Sequence, residues 1–252
     1  MLHSALDLHL IILIGLVGLF AGMQNTLAGG GSFVTFPALL LAGLDPLAAN
    51  ITSTIALFPS QINMAWNGRS IADGVGPLKF RTLFYISLAG GVVGALLLLS
   101  TPASFFARLV PWLILFATAV FTWGSFRTKP LHTADSMPSW LLMAIQGAIA
   151  IYGGYFGGGI GFLMLAALTI AGQAVRISIA TKNVLAMAMN ASAVAIFAFS
   201  SQVDWPAVLA LGIGALAGSM LGGMLMHRLP EKVLRGFVVA VGVVLTVWMF
   251  VR

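Results

Sequence analysis

Apolar residues run along this chain in long uninterrupted blocks, divided by short polar, glycine or proline breaks. A continuous apolar block of about 20 residues predicts a membrane-crossing helix, whereas strict alternation would predict a half-buried strand. In the first half the blocks cover 8–28, 32–43, 46–66, 80–100 and 104–125. In the second half they cover 139–156, 160–172, 175–201, 205–226 and 231–251. Four blocks in each half approach the spanning length. The second block of each half has only 12 or 13 residues. A helix of that length rises about 18 Å and falls short of a hydrocarbon core about 30 Å thick, so it is expected to begin inside the membrane. The pattern predicts an all-α integral membrane protein of two five-segment repeats, each with a short or broken second helix.

The two halves align with almost no gaps. Gly18, Gly29, Gly30, Phe33, Gly43 and Thr52 match Gly147, Gly158, Gly159, Phe162, Gly172 and Thr181, each pair 129 residues apart. Gly90, Gly94 and Pro102 match Gly218, Gly222 and Pro230 at a spacing of 128. A nearly constant offset over so long a stretch indicates a duplication, and internal repeats are common in transporter folds. The repeats are placed at 1–130 and 131–252, forming one bundle. The first apolar block follows Met1 with no Lys or Arg before it, unlike a secretory leader. It also has a counterpart in the second half, so it is expected to be part of the mature fold.

Composition supports a bilayer as the solvent. Of the residues 60% are hydrophobic and 7% charged, and mean hydropathy is +1.05, where a soluble domain carries roughly 25% charged residues. The net charge of +6 would suggest nucleic acid in a soluble protein. Here the basic residues fall in short loops, where they set topology, and no nucleic-acid partner is expected. With ten crossings and an outside N-terminus, Arg69, Lys79, Arg81, Arg127, Lys129, Arg176, Arg228, Lys232 and Arg235 share the cytoplasmic side, and Asp45 and Asp204 lie outside. Re-entrant short segments fit the loop charges less well. Five crossings per half invert one repeat relative to the other.

Two features carry candidate chemistry. The first is the glycine cluster opening each short segment, Gly29-Gly30-Gly31 and Gly157-Gly158-Gly159. Consecutive glycines break a helix, and a helix N-terminus with exposed amides attracts anions. Small residues also let helices pack closely, and both readings stand. The second is a polar patch in the third block of each half. It comprises Asn50, Thr52, Ser53, Thr54, Gln61 and Asn63 in one copy, and Thr181, Lys182, Asn183, Asn190 and Ser192 in the other. Lys182 lies six residues beyond Arg176 within an apolar run. An ionisable group at that depth is costly and marks function, unless it snorkels to the interface. The asparagines serve equally as interhelical hydrogen-bonding residues.

Other chemistries find no support. Asp7, Asp45, Asp73, Asp135, Asp204 and Glu231 all sit in loops or at block ends, which leaves no core carboxylate to hold Na⁺ or carry a proton. There is no cysteine, no paired acid and no nucleophilic triad, so neither an enzyme nor a cofactor is expected. Apart from Met226, which precedes His227, the methionines have no neighbouring His or Cys to suggest copper, and they read as packing.

Leu27-Ala28-Gly29-Gly30-Gly31-Ser32-Phe33, followed by Pro37 and Gly43, resembles the first signature of the sulfite exporter TauE/SafE family. Ala49-Asn50-Ile51-Thr52-Ser53 and Gly153-Gly154-Tyr155-Phe156-Gly157-Gly158-Gly159-Ile160-Gly161-Phe162 are similar to its further elements, as are Thr181-Lys182-Asn183, Asn190 and Val203-Asp204-Trp205. One departure is Ala166 at the position matching Pro37. The resemblance implies a multi-pass transporter of sulfite, organosulfonates or related anions in a bacterial inner membrane.

The expected site therefore combines the amides around Gly29, Gly30, Gly31, Gly157, Gly158 and Gly159 with the neutral donors Asn50, Thr52, Ser53, Thr181 and Asn183. Lys182 supplies the charge, since all these groups donate to an oxyanion. The expected partners are a small anion and the lipid bilayer, with homo-oligomerisation left open. An inside-negative potential favours anion export without a coupling ion. An anion pore and a non-transporting assembly protein are the rival readings.

Overall fold

The computed structural model describes residues 8–27, 30–126, 138–225 and 231–251. These form ten helices: α1 (Leu8–Leu27), α2 (Ser32–Leu41), α3 (Pro46–Gly68), α4 (Phe80–Ser100), α5 (Ala103–Phe126), α6 (Ser139–Tyr155), α7 (Ile160–Ile170), α8 (Val175–Phe197), α9 (Trp205–Leu225) and α10 (Glu231–Val251). Among the described residues the sole β-type pairing is an isolated bridge between Val75 and Leu78. Five helices, α1, α4, α5, α8 and α9, contain stretches long and apolar enough to cross a membrane. α3 is as long as α8, but the polar residues along it keep it outside that set.

Local chemistry sets the helix ends. Asp45 caps α3, its carboxylate accepting from the Leu47 and Ala48 amides at 2.9 and 3.1 Å, with Pro46 in the first turn, where its missing N–H costs nothing. Asp204 caps α9 through the Ala207 amide at 2.9 Å. α2 and α7 end alike. Gly43 and Gly172 take φ of 96° and 89°, and the next amide reaches back to Leu39 O or Leu168 O at 3.1 and 3.0 Å. That is the left-handed glycine stop, which satisfies carbonyls at a helix C-terminus. These stops end α2 and α7 two residues inside the apolar blocks. α8 stops at Phe197, short of the block limit at 201, because the chain turns where the Ser200 hydroxyl accepts from the Gln202 amide at 3.2 Å.

Helix directions follow from which residues meet. α1 lies along α9, with Gly18 against Leu211 and Gly22 against Ala215, so the two run parallel. α4 lies along α6 in the same way, with Gly90 against Ala150 and Gly94 against Ile151 and Tyr155. α3 follows α9, through Ala56–Gly212 contact and an Asn63–Ser219 hydrogen bond of 3.2 Å. α8 follows α4, with the Asp73 amide just before α4 donating to Thr181 Oγ1 at 3.1 Å and, farther along both helices, the Ser192 hydroxyl donating to Leu88 O at 3.0 Å. α3 and α8 cross antiparallel, Gln61 meeting Asn190 and Gly68 meeting Ala180. α5 packs on α10. Exchanging the two halves, α1–α5 for α6–α10, turns the α1–α9 pair into α6–α4, α3–α9 into α8–α4, and leaves α3–α8 and α5–α10 as they are.

These directions give the short helices their place. α1 and α3 both run parallel to α9, so the chain must double back between them, and α2 is the return. Its 10 residues rise about 15 Å, half the thickness of a bilayer core. α7, with 11 residues, returns between α6 and α8 in the same manner. The packing does not follow the division at 130/131. One core cluster gathers Leu83, Leu142, Ile149, Met164, Leu185 and Met189 from α4, α6, α7 and α8, so α4 belongs by packing with the second half.

Charges collect at the two ends. The Gln173 side chain donates to Asp73 O and Gly74 O at 3.0 and 2.8 Å, bringing the Arg69–Lys79 loop to the same end as Arg176. Asp204 and Asp45 lie at the other end, beside the start of α3. Arg108, in the second turn of α5 after the α4–α5 turn, is exposed at that second end, an exception to the sorting. Arg127, Lys129 and Arg228 lie outside the described residues, as do Asp7 and Asp135. Lys232 and Arg235 fall on α10.

The α1–α9 contact is backbone on backbone. A Cβ at Gly218 would overlap the Leu19 carbonyl, whereas one at Gly236 meets nothing within 4 Å. Gly218→Ala is expected to cost about 1–3 kcal/mol by overpacking, while Gly236→Ala is neutral or stabilising. Thermal unfolding of the two purified variants in detergent checks this, and equal midpoints would refute it.

Candidate functional site

The glycine breaks admit two helix N-termini to the interior. Gly30 and Gly159, equivalent in the two repeats, take φ of 80° and 74°, and Gly157 takes 78°, a region closed to most side chains. The second break is braced by the Tyr152 hydroxyl, which donates to Gly158 O at 2.8 Å, and by Ala117 of α5, packed over Gly159. The Asn50 side-chain amide donates to Tyr155 O at 3.1 Å, tying α3 to the end of α6. At the first break, Asn25 Oδ1 accepts from the Gly31 amide at 3.3 Å.

Between these breaks and the α3–α8 crossing lies a cavity of ≈ 80 Å³, room for several waters or a small anion. Its wall carries Gly30 and Ser32 from α2 and its approach, Gly157 to Gly161 from the break before α7 and its first turn, and a polar row from each long helix. Asn50, Ser53, Thr54 and Gln61 come from α3, and Lys182, Asn183 and Asn190 from α8. Ile114 of α5 and Leu245 of α10 close it with apolar surface. The Asn190 amide donates to Gln61 Oε1 at 2.8 Å, across a sequence separation of 129, so equivalent residues of the two repeats bond to each other.

Lys182 is the cation on this wall. It sits two turns into α8, and its Nζ lies so close to the start of α7 that a Cβ on Gly161 would stand 3.5 Å from it. Glycine at 161 thus makes room for the ammonium beside the first amides of α7, those of Ile160 and Gly161, which precede the intrahelical ladder; the Phe162 and Leu163 amides already bond to Gly159 O at 3.1 and 3.3 Å. Among the described residues no carboxylate pairs with Lys182 and no side chain accepts from it. An ammonium and a helix N-terminus are both positive, and a bound anion satisfies the two together.

Eight of the twelve expected residues line this cavity: Gly30, Asn50, Ser53, Gly157, Gly158, Gly159, Lys182 and Asn183. Gly29 lies outside the described residues. Gly31 is not on the wall; its amide is held by Asn25. Thr52 and Thr181 are buried away from the cavity and hold loops. Thr52 Oγ1 accepts from the Asp204 amide at 3.1 Å, and Thr181 Oγ1 accepts from the Asp73 amide at 3.1 Å. They perform one task in both repeats, fixing the loop before α9 and the loop before α4. Asn25 belongs to the wall and was not among the expected residues. The polar triplet Gln24-Asn25-Thr26 in an apolar helix was the available signal. Tyr152 and Phe156 carried no such signal, since aromatics are ordinary in membrane helices.

Comparison with known proteins agrees with this architecture. The model of the family described as sulfite exporter TauE/SafE matches residues 14–249. A Sinorhizobium protein named probable membrane transporter protein ORF9 is 29% identical, over 96% of this chain and 93% of that protein. A Haemophilus influenzae probable membrane transporter protein is 26% identical over 96% and 94%. The Escherichia coli K12 probable membrane transporter protein YfcA is 25% identical over 91% and 86%. A helical multi-pass architecture and a family match spanning nearly every helix lead to one conclusion: the chain is a bacterial-type membrane transporter that belongs to the sulfite exporter TauE/SafE family.

Proposed function

We propose that the protein carries a small sulfur-containing monoanion, such as hydrogensulfite (the monoanionic form of sulfite) or a simple organosulfonate, outward across a bacterial inner membrane. The observation that carries this reading is Lys182, without a partner among the described residues, lying over the N-terminus of α7 on the wall of an internal cavity. The charge and the α7 amides bind the oxyanion. Asn50, Ser53 and Asn183 stand around it as neutral hydrogen-bonding groups. Thr52 and Thr181 act one step back, by holding the loops that precede α9 and α4.

The transport cycle we infer is alternating access between two inverted repeats, 1–130 and 131–252. The exchange of contacts between halves and the antiparallel crossing of α3 and α8 support it, since inverted repeats place the substrate at their shared interface. Transport involves no covalent chemistry. The apolar helical spans among the described residues suit an inner membrane. An inside-negative potential of 100 mV drives a monoanion outward with about 2.3 kcal/mol, equal to a gradient of roughly 50-fold.

Purified protein in liposomes tests the reading. Sulfite efflux is measured beside methanesulfonate, chloride and sulfate, with and without an imposed potential. Saturable, potential-driven flux of sulfite, as hydrogensulfite, or of methanesulfonate is expected. Linear, non-saturating flux would indicate a pore, and no flux of any of the four would refute the proposal. Lys182→Ala should lower flux at least about tenfold through loss of a charged hydrogen bond while eluting as a folded protein. Wild-type rates in that variant would remove Lys182 from the site.

A further inference from the structure

The two repeats do not contribute equally to the cavity, and the inequality is localised. Ser53 and Lys182 are 129 residues apart, the same separation that brings Gln61 to Asn190, and both line the cavity. They are therefore one structural position occupied by a hydroxyl in the first repeat and an ammonium in the second. The Ser53 hydroxyl is engaged with the Thr35 hydroxyl at 2.6 Å, while Lys182 has no partner among the described residues. A second difference falls the same way. Asn25, which takes up the Gly31 amide at the start of α2, corresponds to Gly154, which has no side chain to offer α7. One short helix has its entry amide occupied and a neutral neighbour. The other has neither restraint and faces a cation.

We propose that Ser53 is the specificity-determining position that limits this cavity to a single negative charge, with the anionic group held off-centre on Lys182 and the α7 amides. The proposal rests on the transport reading for its purpose, not for its geometry. One cation balances one negative charge. A second negative charge would be left in the Ser53 half among hydroxyl and amide groups, where an uncompensated buried charge is strongly disfavoured. Because the two positions are equivalent, the charge should be movable.

The test measures equilibrium binding to detergent-purified protein by calorimetry, with methanesulfonate as the monoanion probe and sulfate as the dianion probe. Flux of the same two ions in liposomes is followed in parallel. Wild type is expected to prefer methanesulfonate by at least about tenfold, and Lys182→Ser to lose that binding by a similar factor. The exchange variant Ser53→Lys with Lys182→Ser should recover most of it. Ser53→Lys alone should shift the preference toward sulfate by at least about tenfold. A folded exchange variant that binds no better than Lys182→Ser would overturn the equivalence. If the exchange variant does not fold, Ser53→Lys alone decides, and an unchanged ratio of sulfate to methanesulfonate overturns the proposal. Wild type binding neither ion also overturns it. Selective binding without any flux supports the off-centre site and refutes the transport reading instead.

Discussion

Backbone-on-backbone contact between helices of different repeats is the interaction on which the rest of this structure depends. Among lipid tails, burying apolar side chains gains little, so helices associate through close packing and hydrogen bonds. Gly18, Gly22, Gly214 and Gly218 bring α1 and α9 to that distance, and Gly90, Gly94 and Gly154 do so for α4 and α6. Both pairs join one half of the chain to the other, and neither half keeps its fourth helix for itself. The α3–α8 crossing, and with it the cavity, is held between two bodies that each contain helices from both halves. A side chain at any of these contacts would pry apart the bodies that frame the site without touching the site.

The helices were legible because apolar blocks and their breakers act locally. Asp45-Pro46, Gly43 and Gly172 mark ends through capping and φ preference alone, and the observed boundaries stay close to the apolar blocks. The block ending at 201 overran the helix because composition does not register a hydroxyl-stabilised turn. The site was legible in part for a comparable reason. Glycine runs and Lys182 violate what a membrane helix prefers, so they stand out. Thr52 and Thr181 stand out equally by polarity, yet their partners, Asp204 and Asp73, lie more than 100 residues away. Only the folded chain distinguishes a hydroxyl facing a cavity from one holding a loop. The assignment of α4 to the packing of the second half was hidden similarly, since repeat alignment follows the chain while packing does not.

The two halves also differ at matching positions. The backbone has kept its symmetry closely. Gly30 and Gly159 share a conformation, as do Gly43 and Gly172, and the short helices end with the same hydrogen bonds. The side chains have not: serine faces lysine, and asparagine faces glycine, at equivalent places. Geometry constrains a folding element over its full length, whereas charge is altered by one substitution. At these two pairs of positions the halves differ in chemistry while the glycine turns that shape the short helices are shared.

The hydrogen bond between Gln61 and Asn190 has a consequence of its own. When two equivalent positions touch, they mark the point that exchanging the halves leaves fixed, and a rocking motion about that point displaces it least. Groups farther out along α3 and α8 sweep larger arcs. Under the alternating access proposed above, Lys182, two turns from Asn190 along α8, would travel while the pivot stays, and the lever arm of about 12 Å at 1.5 Å per residue would set how far the anion is swung between one face of the protein and the other.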